Sequence, residues 1–243
     1  MLKRGYFIAV YAASWLVFGV LALVFNLGAL ALFVVRGRAG CAPAVRAGLR
    51  RFLALWIGWL RLTGLLRLSW EGISEAEFNA GPRVCVANHP GLLDAVFLLS
   101  RLPNLVVVFK RTMVRNPFFA PAALLGGHPR CGTGPDFVRE AVKKISAGYS
   151  MLIFPEGTRT SSDAVLNPLL PGFALIAARA GVPVQLFVIE SSRDFLPRGR
   201  PWWRPPSFPA TVRIRADLCL PAPSGHARET AELVASRLRS CLT

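Results

Sequence analysis

The sequence predicts an α/β fold, a mixed and mainly parallel sheet flanked by helices, preceded by a membrane-embedded helical motif at the N-terminus. Three observations predict it. Residues Gly5 to Val35 carry no charged side chain. From Trp70 onward, short β-type runs alternate with helical patterns. Hydrophobic residues make up 53% of the 243, and charged residues only 17%. Disordered chains are poor in apolar residues, so that class is excluded. An ordinary soluble domain carries about 25% charged residues, so that class is disfavoured. The net charge of +16 suits an anionic lipid surface or nucleic acid. Five cysteines with no C-x-x-C pair argue against a disulfide framework and a zinc site, and fit a reducing compartment.

The uncharged run comes first. It is too long for a cleaved secretory signal, whose apolar region is about 7–15 residues. As a helix it reaches roughly 46 Å at about 1.5 Å per residue, against a hydrocarbon core about 30 Å thick. A tilted single span fits, and so does a bent hairpin dipping into one leaflet, with Asn26 and Gly28 marking the bend. Lys3 and Arg4 precede the run; Arg36, Arg38, Arg46, Arg50 and Arg51 follow it. The larger positive flank favours a cytoplasmic C-terminal portion, at the inner or cytoplasmic membrane. The next apolar stretch, Phe52 to Leu68, reads as a second helix. Arg46, Arg50, Arg61 and Arg67 fall within roughly a 120° arc of it. Either it lies in the interface with its tryptophans at headgroup level, or it packs on the domain core. Residues 1–69 are thus expected to anchor the chain and residues 70–243 to form the α/β domain.

Within that domain, RVCVA (Arg83 to Ala87) reads as a strand ending at Asn88-His89-Pro90, and Leu92 to Leu99 as a helix. LVVVF (Leu105 to Phe109) is a second strand, followed by a stretch rich in Pro and Gly. Pro135 to Ala147 has helical apolar spacing. Met151 to Phe154 is a strand that runs into Pro155-Glu156-Gly157-Thr158-Arg159. Gly172 to Ala180 is a helix stopped by Gly181. Val184 to Ile189 and Thr211 to Ala216 are strands, and Glu229 to Arg239 is a closing helix. Pro197 to Pro209 is an irregular Pro/Arg/Trp loop. Strands alternating with helices give the mainly parallel sheet.

Two segments carry chemistry. In NHPGLLD, a carboxylate at Asp94 sits among apolar neighbours and needs a partner. His89 supplies one: Asp94 can accept the Nδ1–H, fix the tautomer and leave Nε2 as a general base. The plainer alternative is Asp94 capping a helix and His89 filling a turn. In FPEGTR, the strand end exposes backbone N–H groups at Gly157 and Thr158. Arg159 offers a fork suited to phosphate, and Glu156 would receive a hydroxyl or hold Arg159. The plainer alternative is a turn with a surface ion pair.

Together, His-x4-Asp after one strand and Phe-Pro-Glu-Gly-Thr-Arg after another resemble the glycerolipid acyltransferase family, of the 1-acylglycerol-3-phosphate acyltransferase type. The likeness covers roughly Trp70 to Ile189. The second family block resembles Phe109-Lys110-Arg111 through Asn116-Pro117-Phe118-Phe119, and the fourth resembles Gly181-Val182-Pro183-Val184. The resemblance implies a glycerol-3-phosphate acyltransferase-like fold and transfer of a fatty acyl group from acyl-CoA or acyl carrier protein to a lysophospholipid hydroxyl, lysophosphatidic acid first. It implies His89 and Asp94 as catalytic, with Lys110, Arg130, Glu156, Gly157, Thr158, Arg159 and Pro183 binding substrate. It implies no metal and no cofactor beyond the acyl donor. Arg130 lies near, but not in register with, the Arg that ends the second block in that family. A polyene, pigment or amino-lipid acceptor is the alternative this departure leaves, as is a non-catalytic lipid-binding member.

Other classes fit less well. A lipid esterase needs G-x-S-x-G, which is absent. The uncharged segment and the lack of a recognition motif speak against nucleic acid as a partner. His128 and His226 are expected in a loop and at the surface, Cys85 in the core, and Cys131 without a base. The Trp202–Trp203 pair among Arg198, Arg200 and Arg204 would either dock on headgroups or pack as a surface loop.

Overall fold

The computed structural model describes residues 2–72, 74–109, 115–116, 118–129 and 134–243. Helix α1 (Leu2–Leu62) is broken at Gly37, whose φ of 65° and ψ of 176° lie outside helical space. Only glycine takes such a conformation cheaply. The chain reverses there into two antiparallel arms. Tyr6 donates to Thr63 O at 3.3 Å. Trp56 Nε1 donates to Ser14 O at 3.0 Å, and Trp59 Nε1 to Ser14 Oγ at 2.9 Å. Phe25 stacks on Phe52 at 5.9 Å. The bend expected at Asn26 and Gly28 is therefore elsewhere. Both residues stay helical, and Asn26 donates to Phe118 O in the globular part.

The second apolar helix also differs from expectation. It ends at Leu62, and Leu66–Glu71 is strand β1. Gly64 takes φ 73°, and the buried–exposed alternation of Leu66, Arg67 and Leu68 has the period of a strand. Arg67 thereby leaves the helical arginine stripe. Trp56 is fully buried against the first arm rather than held at a headgroup level. The outward face of the first arm is apolar: Leu16, Val20, Leu23, Leu27, Leu30 and Val34 are exposed at helical spacing.

The remaining elements are α2 (Glu75–Asn79), β2 (Val84–Ala87), α3 (Asp94–Arg101), β3 (Leu105–Val107), α4 (Ala120–Leu125), α5 (Pro135–Ser146), β4 (Ser150–Ile153), α6 (Gly172–Ala180), β5 (Val184–Ser191), β6 (Ala210–Leu220) and α7 (Ala227–Leu242). The six strands lie in the order β1-β6-β5-β2-β4-β3. Every neighbouring pair is parallel except β5 with β6. Both faces of the sheet are covered, which is why β2 is buried along its whole length. Cys85 and Ala87 face one core with Phe97 and Trp56, beneath α3 and the hairpin. Val84 and Val86 face the other with Ile145, Phe173 and Val234, beneath α5, α6 and α7. Helix α6 ends as expected, with Gly181 at φ 65°.

The Pro197–Pro209 loop has no regular structure and is clamped on the hairpin. Trp202 packs on Trp15 with ring centroids 4.9 Å apart, and Tyr11 donates its hydroxyl to Trp202 O. Trp203 points out, 65% exposed. Thus one member of the pair packs and the other faces outward.

Candidate active site

Strands β2 and β4 are parallel neighbours, with Val86 opposite Ile153. Their C-terminal ends therefore deliver Asn88-His89 and Phe154-Pro155-Glu156 to the same edge of the sheet. Sites of open α/β sheets form at such ends. The register explains how two sequence blocks far apart become one site.

His89 Nδ1 lies 2.8 Å from Asp94 Oδ2, and Gly91 N–H donates to the same oxygen at 2.7 Å. Asp94 is the first residue of α3, where a carboxylate is favoured by the helix dipole. Its side chain is 2% exposed and that of His89 18%. Burial pushes the Asp94 carboxyl above its ordinary range, against the pull of the His89 and Gly91 hydrogen bonds and the Arg159 charge. With Nδ1–H donated to Asp94, the lone pair of the neutral ring sits on Nε2. Phe154 stacks on the imidazole at 4.1 Å and 19°, fixing the plane of the ring.

Glu156 does not hold Arg159. It is buried, and both its oxygens are used inside the protein. Oε1 accepts from His89 N–H at 2.8 Å and from Thr160 Oγ1 at 2.9 Å. Oε2 accepts from Asn167 N–H at 3.0 Å. Thr160 N–H also donates to His89 O at 2.8 Å. One carboxylate and one threonine thus lock the backbone of the histidine to the second block. The contacts of Glu156 make it a positioning residue whose oxygens are taken up by His89, Thr160 and Asn167, and not half of an ion pair with Arg159. Gly157 takes φ 68° in the turn that follows, and Thr158 beside it is half-buried.

Arg159 reaches across to the Pro/Arg/Trp loop. Its Nη1 donates to Leu196 O at 3.1 Å and to Pro197 O at 2.9 Å. Burial lowers its pKa, Asp94 opposes that, and Arg198 adds to it. A guanidinium still stays charged.

Lys110 and Arg130 lie outside the described residues. Pro183 is not brought to the site. Its carbonyl accepts from Val84 N–H at the start of β2, roughly 15 Å of extended chain before His89 at about 3.3 Å per residue. The sequence blocks match, but β5 places this proline at the far end of the sheet. Two residues went unremarked in the sequence. Asn88 exchanges a pair of 2.8 Å hydrogen bonds with the backbone of Ile189, pinning the His89 turn to β5. Asn167 closes the loop on Glu156. Asn88 carried a signal, as a polar residue directly after a buried strand; Asn167 carried none.

Comparison with known proteins places the chain among acyltransferases. The Acyltransferase family matches residues 71–190. A 1-acyl-sn-glycerol-3-phosphate acyltransferase of Cocos nucifera is 27% identical over 127 residues, covering 49% of this chain and 41% of its own. A chloroplastic one of Brassica napus is 30% identical over 134 residues, covering 53% and 39%. A putative one of Caenorhabditis elegans is 31% identical over 146 residues, covering 56% and 50%. The matched segments thus span half or less of these relatives' length. The crystal structure of the 1-acyl-sn-glycerophosphate acyltransferase PlsC of Thermotoga maritima superposes with a TM-score of 0.74 at 20% identity, over 99% of this chain and 95% of that one. That likeness establishes the fold, including the N-terminal hairpin that precedes the family segment. The chain belongs to the glycerolipid acyltransferase family, among relatives of the 1-acylglycerol-3-phosphate acyltransferase type.

Proposed function

We propose that this protein is a membrane-bound O-acyltransferase. It moves a fatty acyl group from the thioester of acyl-CoA or acyl carrier protein to the free hydroxyl of a lysophospholipid, lysophosphatidic acid above all. The observation that carries the reading is the His89–Asp94 pair, 2.8 Å apart, which leaves the lone pair of the neutral ring on Nε2. In the reaction, Nε2 takes the proton of the acceptor hydroxyl. Asp94 stabilises the imidazolium that results. The acceptor oxygen attacks the thioester carbonyl carbon, forming the ester bond and breaking the C–S bond. The departing sulfur recovers the proton from Nε2. General-base assistance of this kind is worth about 10²–10⁴ in rate. Arg159 has its Nη1 committed to the loop, so Nη2 and Nε remain for acceptor phosphate.

The hairpin supports the membrane part of the proposal. Its apolar stretch is long enough to cross a bilayer, yet only 17% of that window is buried in the protein. An apolar stripe left in water is unfavourable, and acyl chains would cover it. The arginine-rich flank favours the cytoplasmic face for the α/β domain. The hairpin would hold the domain where lipid acceptors are delivered.

Acyl transfer to lysophosphatidic acid by purified protein in lipid vesicles tests the reading. With His89→Ala the rate is expected to fall by about 10³ or more while vesicle binding is kept. With Arg159→Ala the KM for the acceptor rises and that for the donor does not. Equal rates for wild type and His89→Ala would end the assignment.

A further inference from the structure

No step of the proposed reaction uses a side chain of the Pro197–Pro209 loop, yet the loop is fixed along its length. Arg159 Nη1 donates to Leu196 O and Pro197 O where it begins. Asp194 accepts Ser207 N–H at 2.5 Å, and Arg200 Nη2 donates to Pro205 O at 2.6 Å. Phe208 stacks on Phe7 of the first hairpin arm at 5.6 Å, and Trp202 packs on Trp15 of the same arm. So anchored, the loop holds Trp203 and Arg204 out in the open.

The loop forms an open cleft of about 690 Å³, within the range of about 300–1,000 Å³ typical of small-ligand sites. Arg193, Arg200 and Arg204 line it, with Asp194 as the one carboxylate of the lining. Asp194 lies within electrostatic reach of Arg200, so those two charges offset each other. Arg193 and Arg204 are exposed, and among the described residues their guanidinium groups have no partner. Three arginines against one aspartate leave a surplus of two positive charges. Guanidinium forks match phosphate oxygens, and an exposed indole favours the zone between water and acyl chains. The apolar hairpin surface adjoins this cleft. Leu16, next after Trp15, is exposed, as are Trp59 and Leu62 at the same end of the other arm.

We propose that the cleft and Trp203 form a headgroup site that docks this loop on anionic phospholipid, separately from the contact made by the hairpin. The proposal rests on the membrane part of the function proposed above. The exposed indole favours a lipid headgroup over a phosphate presented in water. Docking holds Leu196 and Pro197, the carbonyl partners of Arg159, at the surface from which a lipid acceptor comes.

Tryptophan fluorescence of the full chain in vesicles tests this. The vesicles are phosphatidylcholine alone or with phosphatidylglycerol in equal parts, the phosphatidylcholine being brominated high on its acyl chains to quench nearby indoles. Six tryptophans contribute, so the difference between wild type and Trp203→Phe isolates Trp203. With phosphatidylglycerol present, that component is expected to be quenched at least about twofold more than without it. In Arg193→Gln/Arg204→Gln, compared in turn with and without Trp203→Phe, the extra quenching should disappear while that of the other tryptophans persists. An unquenched Trp203 component, equal quenching with and without phosphatidylglycerol, or wild-type quenching in Arg193→Gln/Arg204→Gln would overturn the proposal. So would a raised KM for acyl-CoA in that variant with its quenching unchanged, which would assign the cleft to donor phosphates. If the Trp203 component alone fails, the membrane reading stands; if every indole is unquenched, both fall.

Discussion

Two imidazoles of this chain sit beside strand ends in opposite electrical settings. His89 follows β2 with a carboxylate 2.8 Å from Nδ1, and its side chain is 18% exposed. His128 has the backbone N–H of Val107 at Nδ1 and is 6% exposed. Burial, then the charges of Arg46 and Lys144, push His128 down to about 3. The same side chain is thus equipped to take up a proton at one position and prevented from it at the other. What decides is burial first, then the charges around the ring, with the group at Nδ1 acting in the same direction. An acceptor there stabilises the imidazolium, whereas a donor there, with cations behind it, excludes it.

The largest effect expected from this contrast concerns Asp94. Asp94→Asn keeps the size of the side chain and removes the charge that supports imidazolium. Acyl transfer should fall by about 10²–10⁴ in kcat, with Tm within a few degrees of wild type. His128→Gln, in which the amide oxygen accepts Val107 N–H instead, should leave kcat within a few-fold. If Asp94→Asn retained wild-type turnover, the distinction between the two rings would have no catalytic meaning.

The next effect is on stability in acid. Between about pH 3 and about pH 6.5, the unfolded chain holds a proton at His128 that the folded chain refuses. Unfolding free energy should therefore fall as pH drops through this window, by up to about 1.4 kcal/mol per pH unit, or about 2 kcal/mol by pH 5. Above about pH 6.5 the contribution vanishes. Asp94, held above its ordinary range by burial, acts with the opposite sign: the folded carboxyl binds the proton more readily, so stability is lost as pH rises through that range. Denaturant unfolding of wild type against His128→Gln at each pH cancels the Asp94 part. Parallel curves would contradict the assignment of His128.

How much of this was legible before the structure follows from the range of each interaction. The His89–Asp94 pair and the strand before it lie within a few residues, so local pattern revealed them. The turn at Gly157 and the stop at Gly181 were legible for the same reason. The role of Glu156 was not, because it depends on the β2–β4 register that brings its Oε1 to His89 N–H. The reversal at Gly37 was missed because its signal is one dihedral angle between two arginines, whereas Asn26 and Gly28 look like breakers. Strand β1 was hidden by composition. LRLSW continues a leucine-rich helix, and only its period-two burial separates it from one. The likeness of Gly181–Val184 to a family block was genuine as sequence, but says nothing of which end of β5 a residue occupies, and Pro183 lies at the far end from His89.

The smallest effect tests the aromatic neighbours. Phe154 lies flat on His89, with centroids 4.1 Å apart and planes 19° apart. The rings of Phe109 and His128 are instead nearly perpendicular, 4.9 Å apart at 82°. A flat ring presents its electron-rich face to the imidazole, so it favours the protonated form that the proposed transfer requires, and it leaves both nitrogens clear. Phe154→Leu should therefore lower kcat by about 2- to 10-fold, the equivalent of an aromatic pair worth about 0.5–1.5 kcal/mol, and leave both KM values in place. Phe109→Leu should cost about 1 kcal/mol of stability with kcat unchanged. Steady-state kinetics and denaturant unfolding of the two variants, made side by side, separate the roles. If both lost stability alike and neither lost turnover, stacking at His89 would be packing and nothing more.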